Sequence, residues 1–163
     1  MYADMTNWTI TPMLASQKWE IEDWTYPPPY DFYNRTIKSN RTGDADAILS
    51  DAFAVLDENG RLVGHYHFGE DAHIPTEEHF VYTPDRLDIG LGLRPDLCGN
   101  GLGVQFIQMG LAFAEAHYGT RAFRLSVAAF NRRAITTYEH AGFAKVAEVT
   151  NSYFKNRFYI MVK

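Results

Sequence analysis

Leu87-Asp-Ile-Gly-Leu-Gly-Leu-Arg-Pro-Asp-Leu-Cys-Gly-Asn-Gly-Leu-Gly-Val104 is the stretch whose reading decides the fold. Its first seven residues alternate. Leu87, Ile89, Leu91 and Leu93 share one face and Asp88, Gly90 and Gly92 the other, the two-residue period of a β-strand. Gly99, Gly101 and Gly103 then occupy alternate positions. After them Val104, Ile107, Leu111, Ala114 and Tyr118 recur every three or four residues up to Gly119, the pattern of an amphipathic helix with a glycine end. A strand, a glycine-rich turn and a helix in that order are where α/β sheets hold phosphorylated ligands. The unpaired amides of a first helical turn carry partial positive charge, and glycine places no Cβ between them and a phosphate. A strand-to-helix turn without a ligand has the same spelling. No Lys-Ser or Lys-Thr follows, so this is not the mononucleotide P-loop. The dinucleotide fingerprint G-x-G-x-x-G is not met either.

Upstream, residues 8–13 read as a first strand, and Ser16 is the expected cap of a helix carrying Trp19, Ile21 and Trp24. Three prolines at 27–29 take the chain out of the helical region. From there to about Asp46 an irregular segment with one short helix is expected. Residues 52–56 and 62–68 flank Asp57-Glu58-Asn59-Gly60, and the Asn-Gly pair predicts a hairpin because both residues accept positive φ. Residues 80–82 are at most a short strand. Downstream, Phe123, Leu125 and Val127 mark a strand. Asn131 opens a second helix through Ala134, Ile135 and Tyr138 to Gly142. Strands at 143–154 and 158–162, joined by Lys155-Asn156-Arg157, close the chain. This order predicts an α/β (α+β) sheet with helices packed on its faces.

Glycines on a strand are costly unless something approaches the backbone closely. For Gly90 and Gly92 the two readings are a bulge and a ligand chain running alongside. If a cofactor's phosphates sit at Gly101, its extended arm runs back along this strand. Asp88 then faces the same side and is a candidate general base for an incoming amine. Its alternative is an ordinary solvated strand residue.

Asn131-Arg-Arg-Ala-Ile-Thr-Thr-Tyr138-Glu-His-Ala-Gly-Phe143 is the most specific signal. Together with the glycine loop and the strand between them, it resembles the GCN5-related N-acetyltransferase (GNAT) superfamily over residues 87–143. The opening Trp24-Thr-Tyr-Pro-Pro-Pro-Tyr-Asp-Phe-Tyr33 looks like a bacterial subgroup of these enzymes. The resemblance implies a mixed, mostly antiparallel central sheet with helices on both faces, forming one domain over residues 1–163. It implies acetyl-CoA as cosubstrate, its pyrophosphate on Gly99, Gly101 and Gly103 with the amides of Asn100, Leu102 and Val104. It gives Leu91 and Leu93 backbone contacts to the pantetheine arm, Asn131 a hydrogen bond near that arm, and Tyr138 the proton for the departing thiolate. From the residues alone, Tyr138 also fits a core aromatic and Asn131 a helix cap. Two departures matter. Cys98 stands where the family loop usually opens with Arg or Gln, so a side-chain contact to the cofactor is lost there. Ser126 stands where the branch acting on a ribosomal protein N-terminus carries Glu. The implied reaction is attack of a primary amine on the thioester in a ternary complex. A non-catalytic acyl-CoA-binding sensor on the same scaffold, or a nucleotide-binding regulatory module, are the rivals.

The 163 residues are enough to bury a sizeable core. A net charge of -5 without a dense Lys/Arg run argues against nucleic acid or anionic membrane as main partner. It favours a small-molecule or peptide amine. One cysteine, Cys98, excludes an internal disulfide and fits a reducing, cytoplasmic compartment. MYADMTNWTI shows no secretory signal. The longest apolar stretch, residues 104–116, is interrupted by Gln105, Gln108 and Glu115 and is too short to span a bilayer. A monomer or homodimer is expected. His65 and His67 share a strand face, with Glu70, His73 and His79 close behind. Histidines two apart on a strand are able to share a metal. The later ones sit in a Pro-containing loop with no cysteine nearby, so no metal site is expected, and lining of the acceptor pocket is the other use. Trp19, Trp24, Tyr26, Tyr30, Phe32 and Tyr33 form an aromatic cluster. Trp24, Tyr26, Tyr30 and Tyr33 are its candidates for gripping a substrate ammonium through cation–π contact.

Overall fold

The computed structural model describes residues 5–163. Part of the N-terminal stretch read for a secretory signal, residues 1–4, lies outside the described residues. The elements are β1 (Thr9–Leu14), α1 (Ala15–Glu22), β2 (Ile48–Leu56), β3 (Leu62–Phe68), β4 (Leu87–Leu93), α2 (Gly103–Tyr118), β5 (Phe123–Ala128), α3 (Arg132–His140), β6 (Ala144–Thr150) and β7 (Arg157–Val162). Short 3₁₀ turns lie at Tyr30–Tyr33, Gly69–Ala72 and Pro95–Leu97. The chain is mixed α/β, and its strand pairings are mostly antiparallel.

The chain forms two compact units, residues up to Tyr66 with Leu91–Asn100, and His67–Gly90 with Gly101–Lys163. Strands β3 and β4 pass through both. In the first unit the hydrogen-bonded order is β1-β2-β3-β4. β1 runs antiparallel to β2 from Thr9↔Leu56 to Pro12↔Phe53, then slips to Leu14↔Ile48. Phe53, Ala54, Val55, Leu62, Val63 and Tyr66 make its buried core. The β2–β3 hairpin differs from expectation in its turn. Only Gly60 takes a positive φ, of 76°. Asp57 accepts from Gly60 N–H at 3.0 Å and donates to Arg61 O at 2.9 Å, while its carboxylate accepts from Asn59 and Arg61 N–H. That is a three-residue loop ending in one left-handed glycine rather than a two-residue one. Ser16 is not the cap of α1. The cap position is Leu14, and Gln17 Oε1 accepts from its N–H at 2.8 Å. Trp24 lies beyond the helix end.

In the second unit the order is β3-β4-β5-β7-β6. β5 is antiparallel to β7 over five residue pairs, from Arg124↔Val162 to Ala128↔Phe158. Its parallel ladder with β4 lasts only two, Leu87↔Phe123 and Asp88↔Arg124. α2 buries Ile107, Leu111 and Ala114 of the face read from sequence together with Phe106 and Gly110, leaves Val104 and Tyr118 half-buried, and ends on left-handed Gly119. Residues 80–82 form no strand. β6 stops at Thr150, short of the expected 154, because Asn151 turns the chain: its carboxamide accepts from Tyr153 and Phe154 N–H, each at 2.9 Å.

Candidate active site

Alternation on β4 puts Asp88 on the face opposite Leu87 and Ile89, and there it is buried, 4% exposed. Such a carboxylate needs partners. Arg124, beside it on the last rung of the β4–β5 ladder, donates Nε to Oδ1 at 2.6 Å and Nη2 to Oδ2 at 2.8 Å. His73 Nε2 meets Oδ2 at 2.8 Å. A carboxylate paired with guanidinium only accepts, so His73 donates through Nε2. Arg124 also donates to Thr83 O at 2.8 Å, and the Asp88 hydrogen bond raises its already high pKa. The His73 ring stacks on Tyr82 with centroids 3.9 Å apart and planes 8° from parallel. Tyr82 is fixed in turn: its hydroxyl accepts from Ile74 N–H at 3.1 Å and bonds Ser126 Oγ at 2.7 Å. Burial pushes the Tyr82 phenol pKa up, so it stays neutral. Asp88 is therefore no solvated strand residue, and none of its oxygens lacks a donor.

At Gly90 and Gly92 the space beside the strand is taken by side chains rather than left to a ligand chain. A Cβ on Gly90 would stand 2.2 Å from His67 Nε2, and one on Gly92 2.5 Å from His65 Nε2. Each glycine makes room for an imidazole lying over its backbone. Among the described residues no group of three or more His, Cys, Asp or Glu is arranged to hold a metal ion.

The glycine loop divides its roles. Gly99 and Gly101 are left-handed, φ 75° and 76°. A Cβ on Gly101 would meet nothing within 4 Å, which leaves space beside its backbone. Gly103 serves packing instead, since a Cβ there would lie 3.0 Å from Thr137 of α3. The cap residue of α2 is Leu102, buried, and no side chain caps this end. The first-turn amides, Gly103 and Val104 among them, thus point out of a helix start that offers its own positive end. Asn100 Nδ2 closes the turn on Asp96 O and Cys98 O, at 3.2 and 3.1 Å.

Asn131 caps α3, accepting from Ala134 N–H at 3.1 Å. Tyr138, in the last turn of that helix, is half-buried and packs edge-on against Phe143 at 6.2 Å. In the first unit, Leu91 and Leu93 are half-buried. The Leu93 carbonyl accepts from Tyr26 Oη at 2.8 Å, and burial pushes the Tyr26 pKa well above its ordinary value of 10. The Cys98 thiol turns back on its own loop, 3.7 Å from Leu93 O and Arg94 O. Of the aromatic candidates, Trp24 leans on His65, with ring centroids 6.1 Å apart. Tyr30 is half-buried, and Tyr33 is 37% exposed against Phe32.

Sequence reasoning missed Arg124 and Tyr82 and gave Ser126 no contact. A usable signal was present in Phe123-Arg-Leu-Ser-Val127. An arginine inside an alternating apolar strand requires a buried acid nearby, and Asp88 is the acid that β4 supplies.

A family model, the acetyltransferase (GNAT) family, matches residues 13–143. No curated protein matches the sequence. Among solved structures, a chimera of the spermidine N-acetyltransferase SpeG from Vibrio cholerae and hSSAT is similar at 16% identity, covering 96% of this chain and 95% of that one with a TM-score of 0.69. A mutant form of the spermidine/spermine N-acetyltransferase SpeG from Vibrio cholerae is similar at 18% identity, 96% and 93% coverage and a TM-score of 0.64. An acetyltransferase (GNAT family) from Bacillus anthracis is similar at 15% identity, 69% and 65% coverage and a TM-score of 0.54.

Proposed function

The chain belongs to the GNAT acetyltransferase family and is an acetyl-CoA-dependent acyltransferase, and from that premise we propose direct transfer of the acetyl group to a primary amine of a small cationic acceptor. The observation that carries the reading is the start of α2: an uncapped helix entrance behind a left-handed glycine whose side is open. That arrangement fits a pyrophosphate, which needs several N–H donors and no side chain in the way. Gly99, Asn100, Gly101, Leu102, Gly103 and Val104 would hold it, with Leu91, Leu93 and Asn131 along the pantetheine arm. Two of these roles are narrowed. Asn131 spends its carboxamide oxygen on the α3 cap, and Leu93 already accepts from Tyr26. Acetyl-CoA supplies an activated thioester. Tyr138 hands the leaving sulfur its proton, and N–H donors stabilise the developing oxyanion.

The net charge of -5 supports a cationic acceptor. Spermidine, which the names of the Vibrio proteins give as theirs, is the first amine to test. No helix among the described residues is long and apolar enough to cross a membrane. With a single, reduced cysteine, we place the reaction in the cytoplasm.

The test is thiol release from acetyl-CoA with spermidine, free lysine, an aminoglycoside and an unmodified peptide. At least one supports turnover, and Tyr138→Phe lowers its kcat about a hundredfold. Full activity of Tyr138→Phe removes the acid role. Binding of acetyl-CoA without turnover of any amine establishes the sensor, and calorimetric preference for ATP refutes both.

A further inference from the structure

The acetyl-transfer reading leaves open where the proton of the incoming ammonium goes. Asp88, the residue that alternation nominates, is poorly placed to take it: it is buried and both its oxygens are held by donors. We infer that His73 is the proton acceptor of the transfer reaction and that Asp88 is its positioning residue. This rests on the acetyl-transfer reading above.

With Nε2 donating to Asp88, neutral His73 carries its lone pair on Nδ1. Stacking on Tyr82 fixes the ring plane, and Tyr82 is itself anchored by two hydrogen bonds at its hydroxyl. The His73 side chain keeps 29% of its surface exposed, while Asp88 keeps 6% and Arg124 4%. The outermost member of the chain of contacts is thus the base, and the carboxylate behind it sets its tautomer, the division of labour found wherever an imidazole works against a fixed acid. The charged and titratable groups facing the ring are Asp88 from β4 and Tyr82 from its own loop. Arg124 from β5 lies behind Asp88, and Asp85 reaches Arg124 at 3.8 Å. Position agrees with role. Asp88 and Arg124 are the last pair of the parallel β4–β5 ladder, and ligands of such sheets settle beyond the strand ends where neighbours part.

The atoms balance. The acceptor ammonium gives one proton to Nδ1, and the freed lone pair forms the N–C bond at the thioester carbon, giving a tetrahedral oxyanion whose collapse breaks the C–S bond. The thiolate leaves with the Tyr138 proton, and the extra proton on the new amide nitrogen returns to the phenolate. Imidazolium then releases its proton to water.

The experiment is the pH profile of kcat/KM with the fastest amine of the four-member panel. His73→Gln lowers kcat/KM about a hundredfold at pH 7. It leaves acetyl-CoA affinity unchanged, makes the rate climb roughly tenfold per pH unit, and is partly rescued by added imidazole. Retention of kcat/KM within about threefold, with the wild-type profile, overturns the inference and leaves acetyl transfer intact. A wild type inert toward every amine overturns both. A readout free of activity is the ¹⁵N spectrum of labelled histidine. Wild-type His73 shows the Nε2–H tautomer, and Asp88→Asn disturbs it and displaces the acid limb of the profile. An Nδ1–H tautomer in the wild type also overturns the proposal.

Discussion

Removing the partner of a buried charge is usually worse than removing the pair. Arg124 and Asp88 are nearly sealed from water. Arg124→Met therefore strands a carboxylate whose remaining bond is to His73, at a cost of about 3–5 kcal/mol. Adding Asp88→Leu recovers much of that loss, since two apolar groups need no partner. Urea midpoints of the two single variants and the double one measure it, and simple additivity would refute the pairing. Tyr26 behaves differently because its phenol is neutral. Tyr26→Phe takes the strong donor from Leu93 O and leaves it only the weak Cys98 thiol, for about 1 kcal/mol. The pH sign follows from burial, which raises the folded pKa above the ordinary 10. Above about pH 10 the unfolded chain loses this proton while the folded one keeps it. The contribution of Tyr26 is complete below that pH and declines as pH rises toward the folded value. Part of the wild-type alkaline loss of stability above about pH 10 is thus absent from Tyr26→Phe. Identical slopes for the two proteins would contradict this. Asp88 was legible as a polar residue on a patterned strand. Its partners were not, because His73 and Arg124 reach it across 15 and 36 residues of chain.

At the level of elements, local periodicity was decisive. β4 and the end of α2 lie where alternation, the three-and-four spacing and Gly119 put them. Where a signal depended on contacts, the reading slipped. The Asn151 side chain, not the apolar run, ends β6, and Gln17 outcompetes Ser16 at the start of α1. The strand glycines are the instructive case, since their cost is plain in the sequence while the occupant of the space, an imidazole from β3 in each case, is not. Gly90→Ala drives a methyl into the His67 ring and destabilises by about 1–3 kcal/mol. His67→Ala removes the obstacle, so the double variant costs less than the sum, a coupling of about 1 kcal/mol or more. Zero coupling would mean that the imidazole does not lie over Gly90. The helix entrance gives the opposite contrast. A Cβ at Gly101 meets no protein atom within 4 Å, yet in Gly101→Val the left-handed φ adds about 1–2 kcal/mol of strain and the side chain takes the space proposed for the phosphate. Acetyl-CoA affinity then falls far more than stability does.

Over the whole chain, the order of elements was readable because each is specified by its own dozen residues. The tie that closes the second unit was not, because Arg86 grips the terminal Lys163 carbonyl at 2.9 Å, 77 residues away. The second unit is therefore complete only when distant parts of the sequence are in place together. A ligand that requires the assembled state stabilises all of it at once. Coenzyme A at a hundred times its dissociation constant adds about 2.7 kcal/mol to the folded state. For a chain of this size that amounts to a rise in Tm of about 5–10 °C. Thermal melts with coenzyme A, acetyl-CoA and ATP at matched concentrations make the test. The first two raise Tm to similar extents because they share the pyrophosphate and pantetheine, and ATP has no comparable effect because nothing like a P-loop lysine meets its γ-phosphate. In Gly101→Val the coenzyme A shift collapses while the ligand-free Tm moves by only a few degrees. If that variant keeps the full shift, the diphosphate is bound somewhere other than the start of α2.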